Sequence, residues 1–252
     1  MNDRIVVVLP TYNEVESLPR VVARLRDAVP DADLLIVDDA SPDGTGDLAD
    51  SLSALVPGVH VLHRLAKEGL GPAYIAGFSE ALDRGYGVVV QSDADGSHRP
   101  EDLPALLRAL DDADVVIGSR WVQGGRTGGW SAFRYLLSRA GSRYAGVMLG
   151  LAQKDITGGF RVFTSSALRR IAFDEVTSHG YCFQIEMLMR AVQGGCRVVE
   201  EPITFDDRLH GESKMSATIV LEALRQVTRW GVERLRGRAA PTPTRREEDV
   251  RV

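Results

Sequence analysis

Short runs of aliphatic residues alternate in the first half of the chain with segments whose apolar residues recur every three or four positions. The first run is Ile5–Leu9, and the next is Leu34–Val37. Between them, the apolar residues from Glu14 to Val29 follow helical spacing and form a single stripe. Continuous apolar runs of this length are typical of parallel strands that are buried on both faces. The pattern therefore predicts a βαβ unit.

The same alternation continues to residue 117. Further strands are predicted at Val59–Leu62, Val88–Val90 and Val115–Ile117, and further helices at 48–55, Ala73–Leu82 and Leu103–Leu110. Strands that alternate with helices favour an open, mostly parallel sheet with helices on both faces. In such sheets, ligands bind beyond the carboxyl ends of the strands.

The second half of the chain is less regular. The glycine-rich segment Gln123–Trp130 is expected to be a mobile connection, and the small residues of Asp155–Phe163 indicate a tight turn before a strand. Helices are predicted from Phe133 to about Leu149, over Gln184–Val192 and over Ser216–Leu235. We divide the chain into a catalytic domain (1–215), an amphipathic helix (216–236) and a disordered tail (237–252), which lacks any periodicity.

Composition and charge are those of an ordinary globular chain. There are 30 Lys and Arg against 35 Asp and Glu, a net charge of −5, and 44% of the residues are hydrophobic. No apolar stretch approaches the ~18 residues of a membrane span, and the first residues lack the layout of a secretory signal. We therefore expect a cytoplasmic protein with no nucleic-acid partner. Cys182 and Cys196 are expected to be reduced thiols, since two cysteines make no disulfide framework.

Three predicted strands end in polar or acidic residues, namely at Pro10–Glu14, Asp38–Ser41 and Asp93–Asp95. Because the carboxyl ends of parallel strands meet at one edge of a sheet, these residues are expected to gather there. Neither the glycine pattern of dinucleotide-binding folds nor a Walker-type phosphate loop is present. A nucleotide site at this edge would therefore be of another kind.

The sequence Asp93-Ala94-Asp95 presents two carboxylates around one small residue. Oxygen ligands of this type favour Mg²⁺ or Mn²⁺, which also coordinate substrate phosphates. The alternative is a pair of turn or capping aspartates. The neighbouring pair Asp38-Asp39 favours the interpretation as a metal site, because acidic strand ends on one edge repel each other unless a cation or hydrogen-bond donors intervene.

Cationic residues supply the opposite charge. Arg120, Arg134, Arg208 and Lys214 are of the type that neutralises phosphates, although any one of these arginines alone is more typical of a solvated surface. Gly211 gives the segment from Arg208 to Lys214 the freedom to fold over a ligand.

These motifs together resemble a known family, the polyprenol (dolichol) phosphate mannose synthases. They are inverting glycosyltransferases of family 2 with the GT-A fold, and the likeness runs in order from about residue 4 to residue 216, closest to the type without transmembrane helices. The motifs that carry it are Pro10–Glu14, Val37–Thr45, Gly69–Gly71, Asp93–His98, Gly118–Arg120, Asp155–Arg161 and Arg208–Lys214.

The resemblance implies roles for individual residues. The guanosine of GDP-mannose would be held by Pro10, Tyr12, Glu14, Val37 and Asp39. Around the diphosphate and sugar would lie Asp93, Ala94 and Arg120, with Arg208 and Lys214 closing over the phosphates. Asp95 would be the main ligand of Mg²⁺ or Mn²⁺, assisted by Ser97, which is shorter than the glutamine of some relatives and is compatible with a water-mediated contact. Arg134 and Ser138 would bind the acceptor phosphate.

The implied reaction moves mannose from GDP-mannose to a polyprenyl monophosphate. Because a monoalkyl phosphate is mostly dianionic at neutral pH, no general base is required. One alternative is a UDP-glucose or UDP-N-acetylhexosamine transferase that acts on the same lipid phosphate. Another is a non-catalytic nucleotide-sugar binding module, which the complete set of Asp93, Asp95, Arg208 and Lys214 disfavours.

The predicted C-terminal helix is basic. Ser216–Arg238 contains five arginines against two glutamates, and it carries Trp230. One hypothesis is that it lies on the cytoplasmic face of an anionic membrane or on a membrane-embedded partner protein. The other is a packing helix with solvated arginines.

Overall fold

A computed structural model describes residues 4–178, 180–207 and 217–236. Arg208, Lys214 and the tail from 237 lie outside these ranges, so the predictions for them stay predictions. The elements follow in the order β1 (Ile5–Thr11), α1 (Leu18–Ala28), β2 (Asp33–Asp38), α2 (Thr45–Leu55), β3 (Val59–His63), α3 (Leu70–Asp83), β4 (Val88–Gln91), α4 (Leu103–Ala109), β5 (Val115–Ser119), β6 (Arg126–Thr127), α5 (Ala132–Leu149), β7 (Arg161–Thr164), α6 (Ser165–Ile171), α7 (Tyr181–Gln193), β8 (Val198–Pro202), β9 (Thr204–Phe205) and α8 (Ala217–Leu235).

The main sheet has seven strands in the order β3-β2-β1-β4-β7-β5-β8. Only β7 is antiparallel to its neighbours β4 and β5, and the remaining pairs are parallel. The predicted open, mostly parallel sheet is confirmed. Two short strands, β6 and β9, form a separate parallel pair.

Helices cover both faces of this sheet, as the buried central strands require. In β1, Val6 and Val8 belong to a cluster with Phe78 of α3, whereas the alternating Val7 and Leu9 pack in a second cluster with α1, α2 and α4. Because successive side chains of a strand point to opposite faces, one continuous apolar run supplies two hydrophobic cores.

A third cluster joins α5, α7 and α8. It includes Leu149 of α5 and both Val227 and Trp230 of α8. The Trp230 side chain is 4% exposed, and the Tyr144 and Thr228 hydroxyl oxygens lie 2.6 Å apart. Trp230 therefore faces the protein interior and not a membrane. No helix within the described ranges is both long enough and apolar enough to span a bilayer.

Two local predictions were wrong. Helix α1 begins at Leu18 and not at Glu14, because the chain first makes a turn in which the Glu14 carbonyl accepts from the Leu18 amide. The segment 123–130 is held by backbone bonds, from the Arg126 amide to Ile203 and from the Gly128 amide to Phe205. Its glycines allow close packing, since a Cβ on Gly125 would lie 2.6 Å from the Ser119 carbonyl oxygen.

Candidate active site

The polar ends of β1, β2 and β4 meet at one edge of the sheet, as the sequence predicted. Pro10 pairs with Val37 in the register of β1 and β2, so the predicted guanosine-binding residues start from adjacent strand positions. Just beyond these strands, Asn13 and Ala40 have φ values of 60° and 58°. Left-handed backbone in residues other than glycine is strained and is concentrated at functional sites.

The two acidic residues after β2 are buried, and donors from the chain itself stabilise them. Asp38 accepts from the Thr11 hydroxyl at 3.1 Å and the Ser41 hydroxyl at 2.6 Å. Asp39 accepts from the Gly69 amide at 2.8 Å and forms an ion pair with Arg64. Protein donors thus relieve the repulsion that was expected between acidic strand ends. The Asp39 carboxylate, predicted to contact guanosine, is oriented by these bonds.

A cation lies over the aromatic residue at the end of β1. The Lys67 ammonium is 3.6 Å from the centroid of the Tyr12 ring, a distance typical of a cation–π contact. The neighbouring Glu14 carboxylate accepts from the Ser17 hydroxyl at 2.7 Å. Lys67, Glu14 and Arg64 thus place several charged groups at the part of the sheet edge next to β1 and β2.

The Asp93 carboxylate is held by a phenol. The Tyr74 hydroxyl donates to Asp93 Oδ1 at 2.6 Å. Burial and the charge of Asp93 raise the pKa of Tyr74 well above its usual value, so the phenol stays protonated and remains a donor. The Asp93 amide donates to His98 Nδ1 at 2.9 Å. Burial lowers the pKa of His98, which is therefore neutral at pH 7.

Asp95 is fixed by the residue two positions further along the chain. Its Oδ1 accepts from both the hydroxyl (2.6 Å) and the amide (3.0 Å) of Ser97, and Ala94 beside it is buried. Among the described residues there is no group of three His, Cys, Asp or Glu side chains arranged to hold a metal. Asp95 offers one fixed carboxylate, which is the kind of donor that Mg²⁺ or Mn²⁺ takes when substrate phosphates and water complete its shell. In this arrangement the Ser97 hydroxyl orients Asp95.

A tight turn at 155–161 abuts the Asp93 loop. Asp155 binds the Arg120 guanidinium through two bonds of 2.7 and 2.6 Å, so the predicted donor-binding arginine is already paired. Arg161 is fully buried and donates to the carbonyls of three residues, Ile156, Gly158 and Gln184. A Cβ on Gly159 would lie 3.7 Å from Asp93 Oδ2. The turn thus forms one wall of the site.

The segment around β9 connects the Asp95 loop with α5. The Asp206 amide donates to the Ser97 carbonyl at 3.0 Å, and Arg134 forms a 2.6 Å ion pair with Asp207. The Arg134 guanidinium also lies 4.1 Å from the centroid of a Trp130 ring. Arg134 is therefore linked through Asp207 and β9 to the Asp95 loop, and Ser138 lies one helical turn further along α5.

Sequence reasoning missed Tyr74, Arg64 and Lys67. Arg64 and Lys67 follow β3, so the strand-end argument that found the aspartates would also have found them. Tyr74 lies inside α3 at a position that the apolar pattern alone marks as core.

The fold is that of the GT-A glycosyltransferases. Residues 6–176 match the family described as Glycosyl transferase family 2. The chain is 57% identical over 229 residues, covering 91% of this chain and 94% of its relative, to an undecaprenyl-phosphate mannosyltransferase of Micrococcus luteus. It is 49% identical, with coverages of 91% and 87%, to a polyprenol monophosphomannose synthase of Mycolicibacterium smegmatis. The chain therefore belongs to glycosyltransferase family 2 and groups within it with the polyprenol-phosphate mannose synthases.

Solved structures share the fold. A glucosyl-3-phosphoglycerate synthase from Mycobacterium tuberculosis, in complex with Mn²⁺, UDP-glucose and phosphoglyceric acid, matches with a TM-score of 0.66 at 17% identity, over 95% of this chain and 82% of that chain. A mannosyltransferase from Pyrobaculum calidifontis, in complex with GDP-Man and Mn²⁺, matches with a TM-score of 0.62 at 16% identity, over 96% of this chain and 66% of that chain.

Proposed function

We propose that this protein transfers mannose from GDP-mannose to the phosphate of a polyprenyl monophosphate, with inversion at the anomeric carbon. The observation that carries the proposal is the loop after β4, where Tyr74 holds Asp93 and Ser97 holds Asp95. The names of the two curated relatives support the sugar and the acceptor. The GDP-Man complex of a protein with the same fold supports the donor.

The phosphate of the acceptor binds in a deprotonated form that is already nucleophilic. A phosphate monoester has a second pKa near 6, so it is mostly dianionic at neutral pH and no residue has to remove a proton. This agrees with His98, which is buried, neutral and engaged with the Asp93 amide. Arg134 and Ser138 hold the acceptor phosphate in line with the anomeric carbon. To do so, Arg134 leaves its ion pair with Asp207 and binds the phosphate instead.

The sugar develops positive charge as the bond to the diphosphate breaks. Asp93 stabilises this charge, and the Tyr74 hydroxyl keeps the carboxylate oriented towards it. Attack from the side opposite the diphosphate converts α-mannose to β-mannosyl phosphate. The two oxygens of Asp93 thus have separate tasks, one towards the phenol and one towards the sugar.

The leaving GDP needs positive charge. When bound, Mg²⁺ or Mn²⁺ neutralises the diphosphate as a Lewis acid, and Asp95 is the residue that would hold it. Arg208 and Lys214 complete the phosphate site in this proposal. The nucleoside lies at the other end of the edge, on Pro10, Tyr12, Glu14, Val37 and Asp39, with Ala94 and Arg120 beside the diphosphate and sugar.

The acceptor also sets where the protein works. Because polyprenyl phosphates reside in membranes, we place the protein at the cytoplasmic face of a bilayer as a peripheral enzyme. The proposed division is a catalytic domain at 1–215, a helix at 216–236 and a tail at 237–252. The outward side of α8 bears Leu221 and Leu224 together with its arginines.

A label-transfer assay tests the proposal. The protein is incubated with labelled GDP-mannose, Mg²⁺ and a detergent-dispersed polyprenyl phosphate, and the products are extracted into organic solvent. We expect the label to move into the organic phase only when the acceptor is present, and the product to be a β-mannoside by NMR. A parallel reaction with labelled UDP-glucose should leave the label in water. The opposite result, with transfer from UDP-glucose alone, would reject the proposed donor.

A further inference from the structure

Residues 182–191 of helix α7 are all buried, and three of them carry polar side chains into the core, namely Gln184, Glu186 and Arg190. Two of the three are satisfied. Arg190 donates to one oxygen of Glu186 at 2.9 Å, and the other oxygen accepts from the Ser178 hydroxyl at 2.5 Å. Gln184 differs, because it is only 4% exposed and its Oε1 atom has no hydrogen-bond partner among the described residues. Hydrogen bonds within the protein therefore do not explain an amide at this position.

The nitrogen end of the Gln184 amide points towards the tight turn that walls the site. Its Nε2 atom lies 3.5 Å from the point that a Cβ on Gly159 would occupy. His98 Cε1 lies 3.6 Å and Asp93 Oδ2 lies 3.7 Å from the same point. Side chains of α7 and of the loop after β4 thus converge on one place, where Gly159 leaves a gap between the Gln184 amide and the Asp93 carboxylate.

The backbone does not require glycine at position 159. Its φ angle is not among the positive values, and the contacts of an added Cβ, at 3.5 to 3.7 Å, would be ordinary van der Waals contacts. What the glycine provides is the gap itself, which a methyl group would fill. Gly159 and Asp93 are both half-buried, so the gap is open to solvent at the sheet edge.

The walls of the gap are fixed by other parts of the protein. Tyr74 holds Asp93 Oδ1 at 2.6 Å, which leaves Oδ2 on the side of the gap. The His98 ring stacks on Phe160 with the ring centroids 4.9 Å apart, and its Nδ1 accepts from the Asp93 amide. Groups that are already in place lose little conformational entropy when a ligand binds.

An amide beside a carboxylate suits a sugar hydroxyl. The carboxylate of Asp93 only accepts hydrogen bonds, whereas the Gln184 Nε2 atom donates them. A hydroxyl group both donates and accepts, so one hydroxyl can bind the two residues at once. An anion such as a phosphate would be repelled by Asp93 at the same place.

We propose that Gln184 binds a hydroxyl group of the donor sugar in the gap at Gly159 and so contributes to the choice of sugar. The inference rests on the proposed function, which places the sugar against Asp93. The hydroxyl donates to Asp93 Oδ2 and accepts from Gln184 Nε2. A site that binds a hydroxyl in this way rejects a sugar that lacks it, because its buried polar groups are then left unpaired.

Calorimetry with the full chain tests the proposal by comparing GDP-mannose with GDP, both with Mg²⁺. Gln184→Met keeps the length of the side chain, and it keeps the backbone carbonyl that accepts from Arg161 at 2.8 Å. We expect the affinity for GDP-mannose to fall about tenfold, which is the effect of one hydrogen bond, and the affinity for GDP to stay unchanged. Gln193→Met, at an exposed position of the same helix, is the matched control and should bind both ligands as the wild type does.

Deoxygenated donors identify the hydroxyl. The transfer assay is run with GDP-mannose and with its analogues that lack the hydroxyl at position 2, 3, 4 or 6 of the sugar. We expect Gln184→Met to lower kcat/KM about tenfold for GDP-mannose and for all the analogues but one. The analogue that lacks the hydroxyl bound by Gln184 should react equally well with both proteins. A merely structural role of Gln184 would lower kcat/KM for every donor by the same factor.

A second variant tests the gap without changing Gln184, and it keeps the proposal testable if Gln184→Met does not fold. Gly159→Ala should weaken the binding of GDP-mannose and leave the binding of GDP unchanged, because the methyl group fills the place of the hydroxyl. Its melting temperature should stay close to that of the wild type, since the added Cβ meets only ordinary contacts.

Three outcomes would overturn the inference. They are equal losses of affinity for GDP and GDP-mannose in both variants, an equal loss of kcat/KM for all donors, and a folded Gln184→Met protein that transfers mannose as the wild type does. A wild-type chain that transfers no mannose would instead contradict the proposed function. The two failures are thus distinguishable, because the wild type alone tests the reaction and the variants test the role of Gln184.

Discussion

Two tyrosine–aspartate pairs with nearly the same geometry lie at opposite ends of the sheet. Tyr74 donates to Asp93 at 2.6 Å beyond the carboxyl end of β4, and Tyr86 donates to Asp33 at 2.5 Å at the amino end of β2. The pKa of Tyr86 is raised to about 12, mainly by burial. Both phenols are therefore constant donors at neutral pH, and only the first belongs to the proposed site.

This likeness provides a matched comparison. We expect Tyr74→Phe to lower kcat about tenfold, because a hydrogen bond to a charged group contributes roughly 1.5–3 kcal/mol. Both variants should lower the melting temperature by a few degrees, because each loses one hydrogen bond to a carboxylate. Tyr86→Phe should leave kcat unchanged. Steady-state kinetics and thermal unfolding of both variants check this. Equal losses of kcat would show that the Tyr74 hydroxyl acts only through stability.

The role assigned to Asp95 is tested by removing its charge while keeping its shape. Asp95→Asn retains an oxygen that can accept from Ser97 but lacks the anionic ligand that a divalent cation requires. We expect transfer to fall at least about a hundredfold. EDTA should have the same effect, and added Mg²⁺ or Mn²⁺ should reverse it. Asp111→Asn, an exposed aspartate, is the control. Undiminished transfer by Asp95→Asn would reject the metal role.

At the level of elements, Arg161 holds three parts of the fold together. Located at the start of β7, it donates to Ile156 and Gly158 of the tight turn and to Gln184 of α7, at 2.8–2.9 Å. Burial lowers its pKa to about 10, which still leaves it charged at pH 7. The conspicuous motif at 155–161 thus has a structural reason, since its arginine fixes the wall beside Asp93.

Removing this guanidinium should destabilise the fold. Arg161→Met would remove three buried hydrogen bonds, and each buried carbonyl left without a donor costs roughly 1–3 kcal/mol. We expect the melting temperature to fall by about 10 °C. Arg169→Met, at an exposed helix position, should change it by no more than a degree or two. An Arg161→Met protein as stable as the wild type would show that water replaces these bonds.

The sequence predicts the elements and the edge of the site better than the contacts within it. Apolar runs identify the strands, and their polar ends identify Asp39, Asp93 and Asp95, because parallel strands share one edge. The antiparallel direction of β7 has no counterpart in its short apolar run. Likewise, Tyr74 reaches Asp93 from a helix that is adjacent in space, and periodicity carries no information about such partners.

At the scale of the whole molecule, the question is how the C-terminal helix belongs to the protein. The basic, amphipathic pattern of 216–236 allowed two interpretations, a membrane-lying helix or a packing helix. In the structure, α5 and α8 run alongside each other, because Tyr144 contacts Thr228 and the Met148 carbonyl accepts from Arg234. The buried side of α8, with Trp230 at its centre, therefore completes the third core cluster.

Trp230 distinguishes the two interpretations without any lipid. If α8 packs as described, Trp230→Ala should cost about 3–5 kcal/mol, as large-to-small changes of buried aromatic residues do. Leu235→Ala, on the same helix but 75% exposed, should change the stability little. Urea unfolding monitored by circular dichroism and fluorescence checks both variants. We expect one transition that shifts as a whole, because the helix and the sheet then unfold together. A Trp230→Ala protein with unchanged stability would instead show that the helix is independent of the catalytic domain and free to meet a membrane with this face.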